Sequence, residues 1–219
     1  MTDADIHVIM RRLADESHKW SSPSVTIVSQ CTGGDPFKVL ISCIISLRTQ
    51  DNTTAAASER LFALASCASD LADLEPEQVE NAIYPAGFYR TKAVQIIEIA
   101  RRLRDDYNGV VPSELDVLLT FKGVGRKTAN LVVTLGFGKP GICVDTHVHR
   151  ICNRLGYCST SSADMTESVL RTKLPPEYWI MINDLLVMFG QNVCHPVSPR
   201  CSICPLPDLC ERKNVKRSR

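Results

Sequence analysis

Apolar residues along the chain recur at helical rather than alternating intervals. Residues 6–13 place Ile6, Val8, Ile9, Met10 and Leu13 on a short apolar stretch. Residues 91–107 place Ala93, Ile96, Ile97, Ile99, Ala100 and Leu103 at helical spacing before Asn108-Gly109 stops the pattern. Residues 36–47 are apolar almost throughout, from Phe37 to Ile45, which predicts a buried helix. Further helices are predicted over 53–65, 76–82, 113–119, 125–135, 146–155, 162–170 and 176–189, with glycine and proline marking the breaks. No segment sustains the alternation of a strand. Roughly ten helices of ordinary length make an all-α fold, and there is no internal repeat or low-complexity segment.

At 219 residues the chain has room for one large or two small domains with real cores. The hydrophobic fraction, 44%, is that of a globular protein. No apolar run is long enough to span a bilayer. The start, Met1-Thr2-Asp3-Ala4-Asp5, lacks the basic and then apolar pattern of a secretory signal, so the protein is expected in the cytoplasm.

The formal net charge of +1 hides an uneven distribution. Between Leu119 and Cys158 stand Lys122, Arg126, Lys127, Lys139, Arg150 and Arg154 against a single acid, Asp145. The tail adds Arg212, Lys213, Lys216, Arg217 and Arg219. A one-sided basic surface binds a polyanion even in a near-neutral protein, although charge alone equally fits solvated helix faces.

Two clusters carry candidate chemistry. In Phe121-Lys122-Gly123-Val124-Gly125-Arg126-Lys127-Thr128-Ala129, two helical patterns meet at Gly-Val-Gly. Glycine admits positive φ and close approach, and the free N–H groups of the helix that follows suit a phosphate. Taken alone, such a turn equally fits an αα-corner that binds nothing. Lys127, beside Arg126 in a first helical turn, sits in positive potential that favours the neutral, nucleophilic amine; spacing alone also fits a phosphate-contacting or solvated lysine. Asp145 precedes a helical stretch and suits its N-cap. The second cluster is Cys194-x6-Cys201-x2-Cys204-x5-Cys210, four of the chain's ten cysteines within seventeen residues. In a reducing compartment this points to a metal rather than to disulfides. A Cys₄ zinc site and a [4Fe–4S] cluster both satisfy such a donor set, but zinc sites usually present two Cys-x-x-Cys knuckles and this loop has one. His195 is expected to face solvent. The other six, Cys31, Cys43, Cys67, Cys143, Cys152 and Cys158, read mostly as small hydrophobes.

The hairpin segment resembles the helix-hairpin-helix of the endonuclease III superfamily of DNA glycosylases. Val144-Asp145-Thr146-His147, Phe137-Gly138-Lys139-Pro140 and Gly87-Phe88-Tyr89-Arg90-Thr91-Lys92-Ala93 extend the likeness over essentially the whole chain. The resemblance implies that Lys127 is the nucleophile and Asp145 the catalytic aspartate. It implies that Gly123, Val124, Gly125 and Arg126 meet the DNA backbone. The 6-2-5 cysteine spacing is that of the family's cluster loop, so Cys194, Cys201, Cys204 and Cys210 are expected to hold a [4Fe–4S] cluster that positions Arg200 and the basic tail for DNA. The chain departs from the family where Phe121-Lys122 replaces Leu-Pro, and where Arg48 aligns with the glutamine that relatives insert beside the orphaned base. Arg48 is therefore the expected wedge, with Gln50 the alternative. Asp51 matches a family acid.

The expected architecture is two helical domains flanking a DNA-binding cleft. Residues 32–143 form a helical barrel with the hairpin at about 113–133. Residues 1–31 and 144–219 form the second domain, with the cluster loop at 194–210. Lys127 and Asp145 are expected on opposite walls of the cleft. The implied activity is removal of oxidised pyrimidines from duplex DNA, followed by β-elimination 3′ to the abasic site. Double-stranded DNA with damaged bases or abasic sites is the expected partner of a monomeric, nucleoid-associated enzyme. A monofunctional mismatch or adenine glycosylase, or a non-catalytic hairpin module, are the other readings. Lys127 argues against the former, whose members carry Ser or Tyr there, and Lys127 together with Asp145 argues against the latter.

Overall fold

The computed structural model describes the backbone of residues 3–219 and the side chains of residues 5–219. Met1 and Thr2, part of the start on which the absence of a secretory signal was argued, lie outside the described residues. Among the described residues all regular structure is helical: α1 (Asp3–Ser17), α2 (Ser24–Cys31), α3 (Pro36–Ser46), α4 (Asp51–Leu64), α5 (Ala68–Ala72), α6 (Pro76–Ile83), α7 (Tyr89–Tyr107), α8 (Leu115–Leu118), α9 (Arg126–Leu131), α10 (Thr146–Leu155), α11 (Ala163–Lys173) and α12 (Met181–Asn192). No helix among them is long and apolar enough to cross a membrane.

The chain divides into two compact units, Ser24–Gly141 and the pair Met1–Pro23 with Ile142–Arg219. The first takes in α2, which the sequence pattern left unassigned in the other domain. Its sequence, Ser-Val-Thr-Ile-Val-Ser-Gln-Cys, is β-branched and weakly helical by propensity. Tertiary packing overrides that preference. Val25, Thr26 and Val28 are buried, and the Asp51 carboxylate accepts hydrogen bonds from Ser24 N (3.1 Å) and Oγ (2.7 Å).

In the 24–141 unit α3 is the central helix, packed on α2, α4, α7 and α9. Asp35 caps it, accepting from Phe37 N (2.9 Å) and Lys38 N (3.3 Å), with Pro36 in the first turn where no N–H is needed. Ile41, Ile44 and Ile45 are fully buried, each contributing about 2 kcal/mol. The predicted 125–135 helix is α9 continued by a π-helical turn, Val132–Gly136, where the buried Thr134 hydroxyl donates to Asn130 O at 2.8 Å.

In the other unit α1, α10 and α12 enclose a core that includes Leu13, Ile151 and Leu186. The helix predicted over 176–189 is two elements, a single 3₁₀ turn at Pro176–Tyr178 and α12. Trp179 and Ile180 separate them, the Trp179 Nε1 donating to Leu174 O at 2.9 Å.

Candidate active site

The hairpin joins α8 to α9 through a tight turn in which Val124 N donates to Phe121 O at 3.0 Å. Gly123 takes φ +77°, and a Cβ there would overlap the Gln95 side chain, which donates to Lys122 O at 3.1 Å. The positive φ is what requires glycine here, since the end of the flexible Gln95 side chain can swing away from a Cβ. Gly125 is the N-cap of α9 and offers no capping side chain, leaving the first N–H groups without a side-chain cap. Gly123, Gly125 and Arg126 are exposed, whereas the Val124 side chain is buried, so only its backbone is presented.

Lys127 is exposed in the first turn of α9. Its charge is felt by Cys43 of α3: burial pushes that thiol up to about 12, and Lys127 acts in the opposite direction. Asp145 belongs to the other unit, where it caps α10. It is buried, and its Oδ1 accepts from His147 N (2.8 Å) and Val148 N (2.9 Å). The N-cap and the sequence-predicted catalytic aspartate are thus one residue, held at the positive end of a helix.

Arg48 is exposed and left-handed at φ 53°. Its guanidinium carbon lies 5.4 Å from the centre of the Phe88 ring, a cation–π arrangement. Phe88, itself at φ 58° and 62% exposed, was part of a motif in the sequence but had no role assigned to it. Gln50 is exposed at the N-cap of α4 and makes no side-chain cap bond.

The four loop cysteines, Cys194, Cys201, Cys204 and Cys210, line one cavity whose apolar lining includes Ile151, Leu155, Phe189, Val193 and Leu206. Burial first, and then the neighbouring thiols, push Cys204 up to about 11 and raise Cys210 as well. Among the described residues no three His, Cys, Asp or Glu side chains are drawn together around a single ion; the four thiols ring the cavity instead. Donors to sulfur are in place. Arg154 Nη1 lies 3.4 Å from Cys194 Sγ, and Arg212 N lies 3.4 Å from Cys210 Sγ. A set of four thiols with donors to two of them fits a cationic, thiophilic centre.

The structure corrects two expectations about charge. Arg150 and Arg154, counted among an outward basic stripe, face the cysteine loop. Arg154 is 8% exposed and donates to His195 O and Pro196 O, both at 2.6 Å, while Arg150 Nη2 donates to Cys194 O at 2.9 Å. A guanidinium carries its N–H donors in a fixed fork and so serves several loop carbonyls at once. His195 does not face solvent freely: its Nε2 is buried with no hydrogen-bond partner among the described residues, and burial followed by Arg200 and Arg219 lowers its pKa. Arg200 is exposed. Elsewhere Lys122 is paired with Glu98 at 3.0 Å. The predicted small-hydrophobe role holds for Cys43, Cys143, Cys152 and Cys158, which are buried, but not for Cys31 and Cys67.

Residues 41–176 match the HhH-GPD superfamily of base excision DNA repair proteins. Endonuclease III of Thermotoga maritima is 47% identical over 177 residues, spanning 81% of this chain and 83% of the relative. The chain belongs to the endonuclease III family. A solved non-covalent endonuclease III–DNA complex superposes with a TM-score of 0.85 at 34% identity, covering 97% of this chain and 96% of that one. A trapped endonuclease III–DNA covalent intermediate, an estranged-adenine complex, gives 0.83 at 33% identity, with 97% of each chain covered. Membership makes the protein a bifunctional base-excision glycosylase and AP lyase with an all-helical fold, as the hairpin and the Val-Asp-Thr-His segment implied.

Proposed function

We propose that the protein removes oxidised pyrimidines from duplex DNA and cuts the strand 3′ to the resulting abasic site, with Lys127 as the nucleophile. The observation that carries this is Lys127 itself, exposed in the first turn of a helix that directly follows Gly123-Val124-Gly125. Its Nζ attacks the sugar C1′ as the glycosidic bond breaks and the base leaves with its electron pair. Asp145, at the α10 cap, stabilises the positive charge that builds at C1′ and takes a proton from the attacking amine. Opening of the sugar ring leaves an imine between Nζ and C1′. Loss of a C2′ proton then expels the 3′ phosphate. The exposed backbone at Gly123 and Gly125, Arg126 and Arg200 hold DNA phosphates. Arg48, stacked on Phe88, fills the gap beside the orphaned base, and its donors suit guanine O6 and N7 best.

Cys194, Cys201, Cys204 and Cys210 would hold a [4Fe–4S] cluster. When bound, the cluster supplies a rigid core for the loop rather than hydrolytic chemistry. The reading places the protein as a monomer on nucleoid DNA. Borohydride reduction tests the nucleophile: it should trap the wild type on DNA carrying an abasic site or an oxidised pyrimidine. A Lys127→Gln variant that still traps and nicks at the wild-type rate overturns the assignment.

A further inference from the structure

The turn that carries Arg48 is pinned by a residue that no part of the mechanism uses. Lys92, in the first turn of α7, is 4% exposed. Its Nζ donates to Ile45 O (2.6 Å), Leu47 O (2.5 Å) and Thr49 Oγ1 (2.8 Å). Those three bonds use every proton of the ammonium; they give Ile45 O, at the C-terminal end of α3, its donor, and share Leu47 O with the Thr49 hydroxyl, which donates to it at 3.3 Å. All three acceptors are uncharged, so the buried charge has no anion among them to offset its desolvation. Thr49 Oγ1 also accepts from Gly87 N at 3.1 Å, and a Cβ on Gly87 would run into the Arg48 carbonyl. Arg48 and Phe88 therefore sit on two chain segments that one buried lysine and one glycine hold at a set separation.

We propose that Lys92 is a positioning residue for Arg48, holding it over Phe88 and thereby setting how strictly the enzyme reads the base opposite the lesion. The proposal rests on the reading of Arg48 as the wedge. A lysine that serves only as a helix cap stabilises the fold and leaves substrate choice alone. A lysine that fixes the register of Arg48 acts on duplex substrates, where an orphaned base exists, and not on single strands, where none does. Its burial keeps Lys92 from touching DNA, so any effect on substrate choice passes through the turn. Desolvation lowers its pKa to about 8, as expected where a charge is buried among neutral groups.

The test is a double-mutant cycle on the full-length protein. Lys92→Met, Arg48→Ala and the double variant are assayed for single-turnover β-elimination on a synthetic abasic site. The site is placed in a single strand and in duplexes opposite each of the four bases. Thr49→Val and Thr49→Ser address the same contact should Lys92→Met fold poorly, since serine keeps the hydroxyl and valine removes it. Loss of buried hydrogen bonds at this site should make the duplex loss exceed the single-strand loss by at least about fivefold. The spread of rates across opposite bases should narrow, and Thr49→Ser should restore it where Thr49→Val does not. In the Arg48→Ala background, Lys92→Met should cost little more. Equal losses on single and double strands, or additive losses alongside a duplex-specific Arg48→Ala defect, overturn the proposal for Lys92 alone. An Arg48→Ala variant that loses equally on every substrate overturns the wedge reading and this proposal with it.

Discussion

One pair of substitutions separates the cap that Asp145 forms on α10 from the catalytic role proposed for it. As the α10 cap it accepts from His147 N and Val148 N at 2.8 and 2.9 Å, and its side chain is buried. Alanine removes both bonds and leaves two N–H groups without their acceptor. Loss of a capping side chain costs about 0.5–2 kcal/mol, and loss of a negative charge at a helix N-terminus a further ~0.3–1 kcal/mol. Asparagine caps as well as aspartate, because its Oδ1 accepts the same bonds, so it forfeits only the charge term. For a chain of this size about 1 kcal/mol moves the melting temperature by roughly 2–4 °C. Asp145→Ala should therefore melt about 2–12 °C lower, and Asp145→Asn no more than about 4 °C lower. Catalysis should not follow that order. On the proposed role both variants lack the carboxylate that stabilises the charge at C1′, so both should lose about a hundredfold or more in single-turnover base excision, with duplex affinity largely kept. Thermal melts, gel-shift affinities and single-turnover rates on one set of preparations decide it. If Asp145→Asn excises at the wild-type rate, Asp145 is a cap and nothing more; if it melts as low as Asp145→Ala, the capping geometry is wrong.

Three further outcomes follow from the same geometry. Protein purified without oxygen should be yellow-brown with about four irons per chain, and Cys204→Ser should lose both iron and solubility; stoichiometric zinc in a colourless preparation would contradict the cluster assignment. Arg48→Ala should weaken paired substrates unevenly across the four opposite bases; a uniform loss with a salt dependence reduced by about one unit of slope would mark a phosphate contact instead. Lys92 should give the wild type a distinctive alkaline profile. Its pKa is near 8 in the fold against an ordinary 10.5, so between those values the unfolded chain binds more protons and folding gains as pH rises, while below about 8 the burial penalty stands in full. Denaturant midpoints should therefore move in favour of wild type over Lys92→Met between pH 8 and pH 10, and a flat or falling difference would count against the buried charge.

Local signals in the sequence determined a good part of this protein. Helical periodicity located α3, α7 and α10 to within a few residues, because the apolar faces that bury them repeat along the chain itself. Asp145 announced a helix start, since a cap bonds N–H groups two and three residues ahead. Gly123 was legible because a turn with positive φ is a local demand, and the cysteine spacing because a short loop must wrap its centre. The family resemblance then attached roles to Lys127 and Asp145 that spacing alone left open.

Tertiary structure decided the rest. Helix α2 has a poor intrinsic propensity and exists because neighbouring helices bury it and Asp51, 27 residues further along, holds its start. Arg154 looked like surface charge until its partners proved to be loop carbonyls 41 and 42 residues downstream. Lys92 stood in a recognised motif, yet its acceptor Ile45 lies 47 residues away and no periodicity links the two. A sequence displays the interactions that close within a turn or two of chain. A long polar side chain finds its partner only when packing has set which distant carbonyls lie within 3 Å or so, and its direction, outward to DNA or inward to the fold, is settled at that step.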